Sequence, residues 1–150
     1  MKKIIYLIIP LFALVFSFSY KAEAQAIVAD WTILKLDVAG RTNVGGVEAF
    51  AQVRKCKEDD VVYLKIINHN EHTVTVKWYD AVLTPQQIWI KKDNAAEQKS
   101  ITIEPNKEVK GDCGAVSYTE CVIKLKDFID KPEYFKEYAV YHFEVIAVMK

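Results

Sequence analysis

The stretch Thr73–Tyr79 (TVTVKWY) alternates strictly, with Val74, Val76 and Trp78 on one side and Thr73, Thr75, Lys77 and Tyr79 on the other. A period of two belongs to an extended strand, whose successive side chains point to opposite faces; a helix spreads the same residues around its axis. One dry face and one wet face describe an antiparallel sheet that is buried on a single side. The period recurs along the chain. Trp31–Val38 predicts a strand with Leu34, Leu36 and Val38 inward, and Val47–Val53 a weaker one. Val61–Ile67 (VVYLKII) predicts a strong strand with Leu64 and Ile66 inward and Tyr63 outward beside Lys65. Gln87–Lys91 (QIWIK) is a short strand in which Ile88 and Ile90 share one face and Trp89 takes the other. Ser100–Ile103 and Glu108–Lys110 flank a turn at Glu104-Pro105-Asn106, and Cys121–Phe128 alternates again. Tyr138–Met149 reads as a long final strand with Tyr141, Phe143, Val145 and Ala147 inward.

Turn-forming residues separate these runs: Gly40–Gly46, Glu58-Asp59-Asp60, Asn68–His72, Pro85 and Asp130–Glu133. Lys91–Gln98 predicts an exposed loop or a single helical turn, and Tyr134–Glu137 another helical turn. No segment keeps helical periodicity over three turns. About seven to nine short strands in one domain-sized chain predict an all-β, antiparallel two-layer β-sandwich, favoured over a closed barrel.

The first residues speak to the compartment. Lys2 and Lys3 precede a charge-free run from Ile4 to Phe18, and Ala22-Glu23-Ala24 follows. A basic start, an apolar stretch and an A-x-A site in that order predict a cleavable signal peptide over residues 1–24 and a single domain over 25–150. The apolar run is about 15 residues, short of the roughly 20 that cross a bilayer, and Pro10 interrupts it. The expected protein is secreted or periplasmic and not membrane-embedded once the signal is cut. The short tract with its paired lysines resembles a bacterial signal.

Removing that segment takes away three lysines and one glutamate, leaving 17 basic against 19 acidic side chains. This near-balance carries no clustered basic footprint, so nucleic acid is not an expected partner. Three cysteines remain, Cys56, Cys113 and Cys121. In an oxidising compartment one disulfide is expected, with one thiol left over. All three pairings are open. Cys56–Cys113 is favoured, because both lie in polar segments (RKCKEDD and KGDCG) beside predicted strands. Cys121 is in register with Ile123 and Leu125, which predicts a buried thiol.

A search for chemistry yields little. His69 and His72 flank Glu71 in one connection, a spacing that suits a solvated loop better than a metal site, which needs ligands converging from elsewhere in the fold. Glu58-Asp59-Asp60 lacks the spaced ligands of a calcium loop. No G-x-S-x-G elbow is present, and a Cys121–His142 pair would need adjacent strands and a lowered thiol pKa. No catalytic residue, metal ligand or cofactor is therefore expected. The aromatics give a sharper hint: Tyr63, Tyr79 and Trp89 are predicted to point outward and form one aromatic patch. Such a patch suits a partner protein or a glycan, since flat apolar area comes with a polar edge. The expected function is a secreted, non-enzymatic binding or interaction module. The alternatives are a lipocalin-like barrel around a small apolar ligand, tested by whether the sheet closes, and a small secreted hydrolase.

Trp78 lies on a middle strand with cysteines on either side in sequence, which resembles the buried tryptophan of immunoglobulin-like domains. The chain departs from that pattern in two ways: Cys56 sits in a polar turn, and no tyrosine-corner motif precedes Cys113 or Cys121. The runs LKIINHNEHTVTVKW and ITIEPNKEVKGDC are similar to small secreted β-domains of uncharacterised bacterial proteins, over about half of the mature chain. The resemblance implies an immunoglobulin-like architecture and no particular function.

Overall fold

The computed structural model describes residues 30–114 and 116–148; the predicted signal segment lies outside them. Ten strands, all antiparallel, form two separate sheets. The first sheet holds β1 (Thr32–Ile33), β2 (Asn43–Val44), β3 (Val47–Cys56), β4 (Asp59–Asn68), β8 (Glu108–Lys110) and β9 (Val122–Lys124). The second holds β5 (Val74–Leu83), β6 (Trp89–Lys91), β7 (Lys99–Ile103) and β10 (Glu137–Ala147). This is the predicted β-sandwich. The lipocalin-like alternative is overturned, because the strands form two open sheets and not a closed barrel.

Alternation sets the inner faces. In β4, Val62, Leu64 and Ile66 are buried; in β5, Val74, Val76, Trp78 and Val82 are buried. They meet Ala49 and Ala51 of β3 and Ile101 and Ile103 of β7 in one core. Trp78 is wholly buried, as its pattern predicts. Asn68 pins the two sheets at one end: its buried Nδ2 lies 3.0 Å from the His72 carbonyl, 3.2 Å from that of Ile103 and 3.0 Å from that of Glu104. Its Oδ1 accepts from the Asn70 backbone N–H at 2.9 Å. A buried amide persists when its donors and acceptor are used in this way.

Both sheets share one construction. A long central strand, β4 or β5, pairs along one side with a long neighbour, β3 or β10. On its other side lie two short strands that together act as one interrupted edge strand. β8 pairs with Lys65–Ile67 and β9 with Val61–Tyr63, while the Gly111 N–H between them donates to the Leu64 carbonyl. β6 pairs with Ala81–Leu83 and β7 with Val74–Trp78. The chain between β8 and β9 leaves the sheet at Gly111 and returns at Cys121. At this neck a Cβ on Gly111 would fall 2.2 Å from the Cys121 carbonyl oxygen, so only glycine fits.

Several expectations need correction. The first strand is only two residues long; Leu34 and Leu36 are buried but Val38 is fully exposed in a turn. Cys121, Ile123 and Leu125 are buried in the predicted alternation, yet only Val122–Lys124 is strand, flanked by single 3-10 turns at Thr119–Cys121 and Leu125–Asp127. Ile88 is exposed in the turn before β6 rather than inward. In β10 the inward phase runs Tyr138, Val140, then Phe143, Val145 and Ala147, with Val145 half-buried and Ala147 exposed toward the strand end; only Tyr141, expected inward, points outward opposite Tyr79. A one-residue bulge between Tyr141 and Glu144 shifts the register and flips the phase there.

The disulfide joins Cys56, at the end of β3, to Cys113, in the excursion after β8. The favoured pairing is present, and Cys121 is the free, buried thiol. Both bridged cysteines belong to the side of the first sheet. The bridge therefore ties an excursion down and does not cross between sheets.

Candidate functional site

The three predicted patch residues do not come together. Tyr63 stands on the outer face of the first sheet, between Gln52 of β3 and Val122 of β9. It is only 5% exposed, which corrects the outward, accessible placement expected for it. On this side Asp112, Gly114 and Thr119 of the chain after β8 line a cleft with Val61 and Cys56. Burial, with the Asp112 carboxylate nearby, raises the Tyr63 phenol above its ordinary value. Its hydroxyl is buried and makes no hydrogen bond among the described residues.

Tyr79 and Trp89 do share a face, the outer side of the second sheet. Tyr79 pairs with Tyr141 of β10, Ala81 with Ala139 and Lys91, and Leu83 with Glu137 and Trp89. Three rows thus run along β5: Tyr79–Tyr141, then the small pair Ala81–Ala139 beside Lys91, then Leu83 beside Trp89. Trp89 is 43% exposed, and Tyr79 and Tyr141 are half-buried. The Lys91 ammonium lies 4.1 Å from the centroid of the Tyr141 ring, a cation–π contact of about 0.5–1 kcal/mol at an exposed site. On this face Ala81, opposite Lys91, and Leu83, opposite Trp89, are buried.

Sequence reasoning missed Tyr141, His142 and Lys91. At the β10 bulge, His142 takes a left-handed backbone conformation (φ 49°), uncommon for any residue with a Cβ. The bulge turns its ring onto the tyrosines: 4.1 Å from Tyr141 at 65°, and 6.3 Å from Tyr79 at 76°. A signal for this existed. Tyr138 and Val140 demand one phase of alternation and Phe143 and Val145 the other, so the strand has to slip between them.

Cys121 and His142 do not come together. His142 is on the outer face with Tyr79 and Tyr141, whereas Cys121 is buried in the interior, where desolvation pushes its thiol up to about 12. A thiol so disfavoured as thiolate is no nucleophile. His69 pairs with Glu48 at 3.0 Å on the surface. The interior holds one further polar cluster. Asp80, almost wholly buried, accepts from Trp78 Nε1 at 3.1 Å and from the Tyr138 hydroxyl at 2.5 Å, and its other oxygen lies 2.8 Å from Lys99 Nζ. Lys99 also donates to the Glu120 carbonyl at 2.8 Å, joining the second sheet to the excursion of the first. Every partner is used, as in a structural network. The cleft above it, about 500 Å³, is lined by Lys92, Glu97, Glu120, Lys124 and Asp127 among others.

No protein-family model matches the sequence, and no curated protein matches it. Among solved structures, the chain is similar to a DUF1425 family member from Shewanella sp. pv-4, with a TM-score of 0.44 and 8% identity over 83% of this chain and 97% of that one.

Proposed function

We propose that this chain is an exported, non-enzymatic binding module whose recognition surface is the outer face of the four-stranded sheet. One observation carries the reading. Both outer faces carry a lysine over aromatic rings, Lys65 over Trp31 and Phe50 on the first sheet and Lys91 over Tyr141 on the second, but the second adds an exposed tryptophan, Trp89, and an exposed His142 beside half-buried Tyr79. Half-buried rings on a hydrogen-bonded sheet are already ordered, so binding to them costs little conformational entropy. The Cys56–Cys113 disulfide and the signal-like residues 1–24 support a secreted or periplasmic location.

The test is retention of residues 25–150 on the cell-envelope fraction of the producing cell. Retention should fall by about tenfold or more in Trp89→Ala and in Tyr79→Ala, both of which should melt near the parent temperature. Full retention by both variants would sink the reading.

A further inference from the structure

We infer that the open face of the four-stranded sheet takes a neutral glycan chain, with sugar rings stacked on Trp89 and Tyr79 and with Lys91 between them. This rests on the reading of that face as the recognition surface and adds the ligand's chemistry. Trp89 stands beside Leu83 and Tyr79 is four residues back along β5, about 13 Å away at roughly 3.3 Å per residue. That span suits a short run of linked rings laid along the strand rather than one small molecule. The surface between the two platforms is polar as well as flat, because Lys91 crosses it to reach Tyr141. A protein hot spot concentrates contiguous, fully desolvated apolar area; here apolar rings alternate with a cation. A pyranose chain has the matching alternation, with C–H faces for aromatic rings and hydroxyl edges for hydrogen bonds.

The remaining groups fit the same ligand. His142 stands nearly edge-on to both tyrosines, at 65° and 76°. It forms a wall at the Tyr79 end, with ring nitrogens for a sugar hydroxyl. The Tyr141 face is taken by Lys91, so Tyr141 positions the lysine and does not stack on ligand itself. The charges on this face balance, Lys77 and Lys91 against Glu137 and Glu144, in the outward phase of β5, β6 and β10. Balance favours a neutral saccharide over a polyanion.

The experiment is a titration of residues 25–150 with cellohexaose, chitohexaose, xylohexaose and, as the acidic counterpart, hexagalacturonate, followed by amide and indole resonances. The expected result is a saturable shift with a neutral hexasaccharide, confined to the Trp89 indole, Lys91, Tyr79 and His142. Trp89→Ala and Tyr79→Ala should each weaken it by about tenfold. Val116→Ala, on the disulfide-tied excursion, should leave it unchanged. The inference falls if no neutral saccharide shifts this face up to about 10 mM, a range that reaches weak binding, if hexagalacturonate alone does so, or if the shifts survive both substitutions. If it falls while envelope retention still depends on Tyr79 and Trp89, the surface binds something other than a neutral glycan. If retention is also indifferent to them, both readings fail.

Discussion

The two sheets differ less in their strands than in where their interrupted edges send the chain. In the first sheet the chain after β8 is tied by Cys113 to Cys56, and its Asp112, Gly114 and Thr119 stand beside Val61 at the end of the outer face where Tyr63 and Val61 are buried. In the second the excursion Lys92–Gln98 turns toward the first sheet. Its Lys92 ammonium lies 4.9 Å from the Phe128 ring centroid, and Lys99, just beyond it, bonds the Glu120 carbonyl. The 3-10 turn within it, Ala95–Glu97, is capped by the Asn94 side chain on the Ala96 N–H. One excursion thus lies beside buried Tyr63 and Val61, leaving Phe50 and Lys65 half-buried and Ile33 exposed farther along that face; the other bridges toward the first sheet and leaves Trp89 exposed on its own. Two tyrosines in equivalent outward positions, Tyr63 and Tyr79, acquire opposite environments.

Substitutions sharpen this contrast, beginning with a residue that belongs to neither outer face. Trp78→Ala should cost about 3–5 kcal/mol, the range for removing a wholly buried large aromatic, measured by urea unfolding; a cost below about 1 kcal/mol would mean that the sandwich core is wrongly drawn. The paired change Cys56→Ser with Cys113→Ser should cost about 2–4 kcal/mol, since the bridge spans 57 residues of sequence and restricts the unfolded chain. It should also raise proteolysis within residues 112–120 selectively, while cleavage in the Lys92–Gln98 segment stays at its parent rate. Equal sensitivity of both segments would erase the proposed difference between them.

Much of this was legible in the sequence, and its failures have physical causes. Period-two alternation located β3, β4, β5 and the buried phase of Cys121–Leu125, because that signal is local and each inner face is dry. The disulfide was legible from the polar settings of Cys56 and Cys113. The patch was legible only in part. Alternation says which side of a strand Tyr63 occupies but not what stands on that side, and the segment beside it comes about fifty residues later in the chain. The β10 phase was right from Phe143 on and wrong at Tyr141, because the Tyr141–Glu144 bulge breaks the very period being counted. Val38 failed because the alternation of WTILKLDV continues past the last strand hydrogen bonds into a turn, where Gly40 N–H bonds to the Asp37 carbonyl.

The buried phenols offer a finer comparison. Among the described residues Tyr63 finds no hydrogen-bond partner for its hydroxyl, whereas Tyr138 donates to Asp80. Tyr138→Phe should cost about 1–3 kcal/mol, because the hydrogen bond goes to a carboxylate that is almost wholly buried. Tyr63→Phe should be neutral or slightly stabilising, since it removes a buried hydroxyl whose desolvation is uncompensated. Equal losses in the two variants, measured by chemical denaturation, would show that Tyr63 has a bond not visible in the protein alone. The pH dependence follows with a definite sign. Burial raises the Tyr138 phenol well above 10, so its contribution is fully present below about pH 10 and declines as the pH rises further, where the unfolded chain ionises and the native chain resists. Tyrosinate absorbance from Tyr138 should therefore appear only together with unfolding.

The smallest effect belongs to the turn between β3 and β4. Asp59 lies 2.7 Å from Lys126 Nζ and 3.8 Å from Lys124 Nζ. The bond from Lys126 holds its carboxyl below the ordinary 3.8. A depressed carboxyl contributes stability that is present above its unfolded value and is lost as the pH falls below about 4 toward the folded value. The Asp59 carboxylate is 28% exposed and its lysine partners more so, and such surface pairs are weak and screened by salt. Asp59→Asn should therefore leave the melting temperature at pH 7 almost unchanged and slightly flatten its fall as the pH drops below about 4. Added salt should reduce even that difference. If the substitution instead destabilised the protein as much as loss of the disulfide does, the excursion beside Lys124 and Lys126 would be held by charge and not by its covalent tie. The contrast between the two outer faces would then need a different origin.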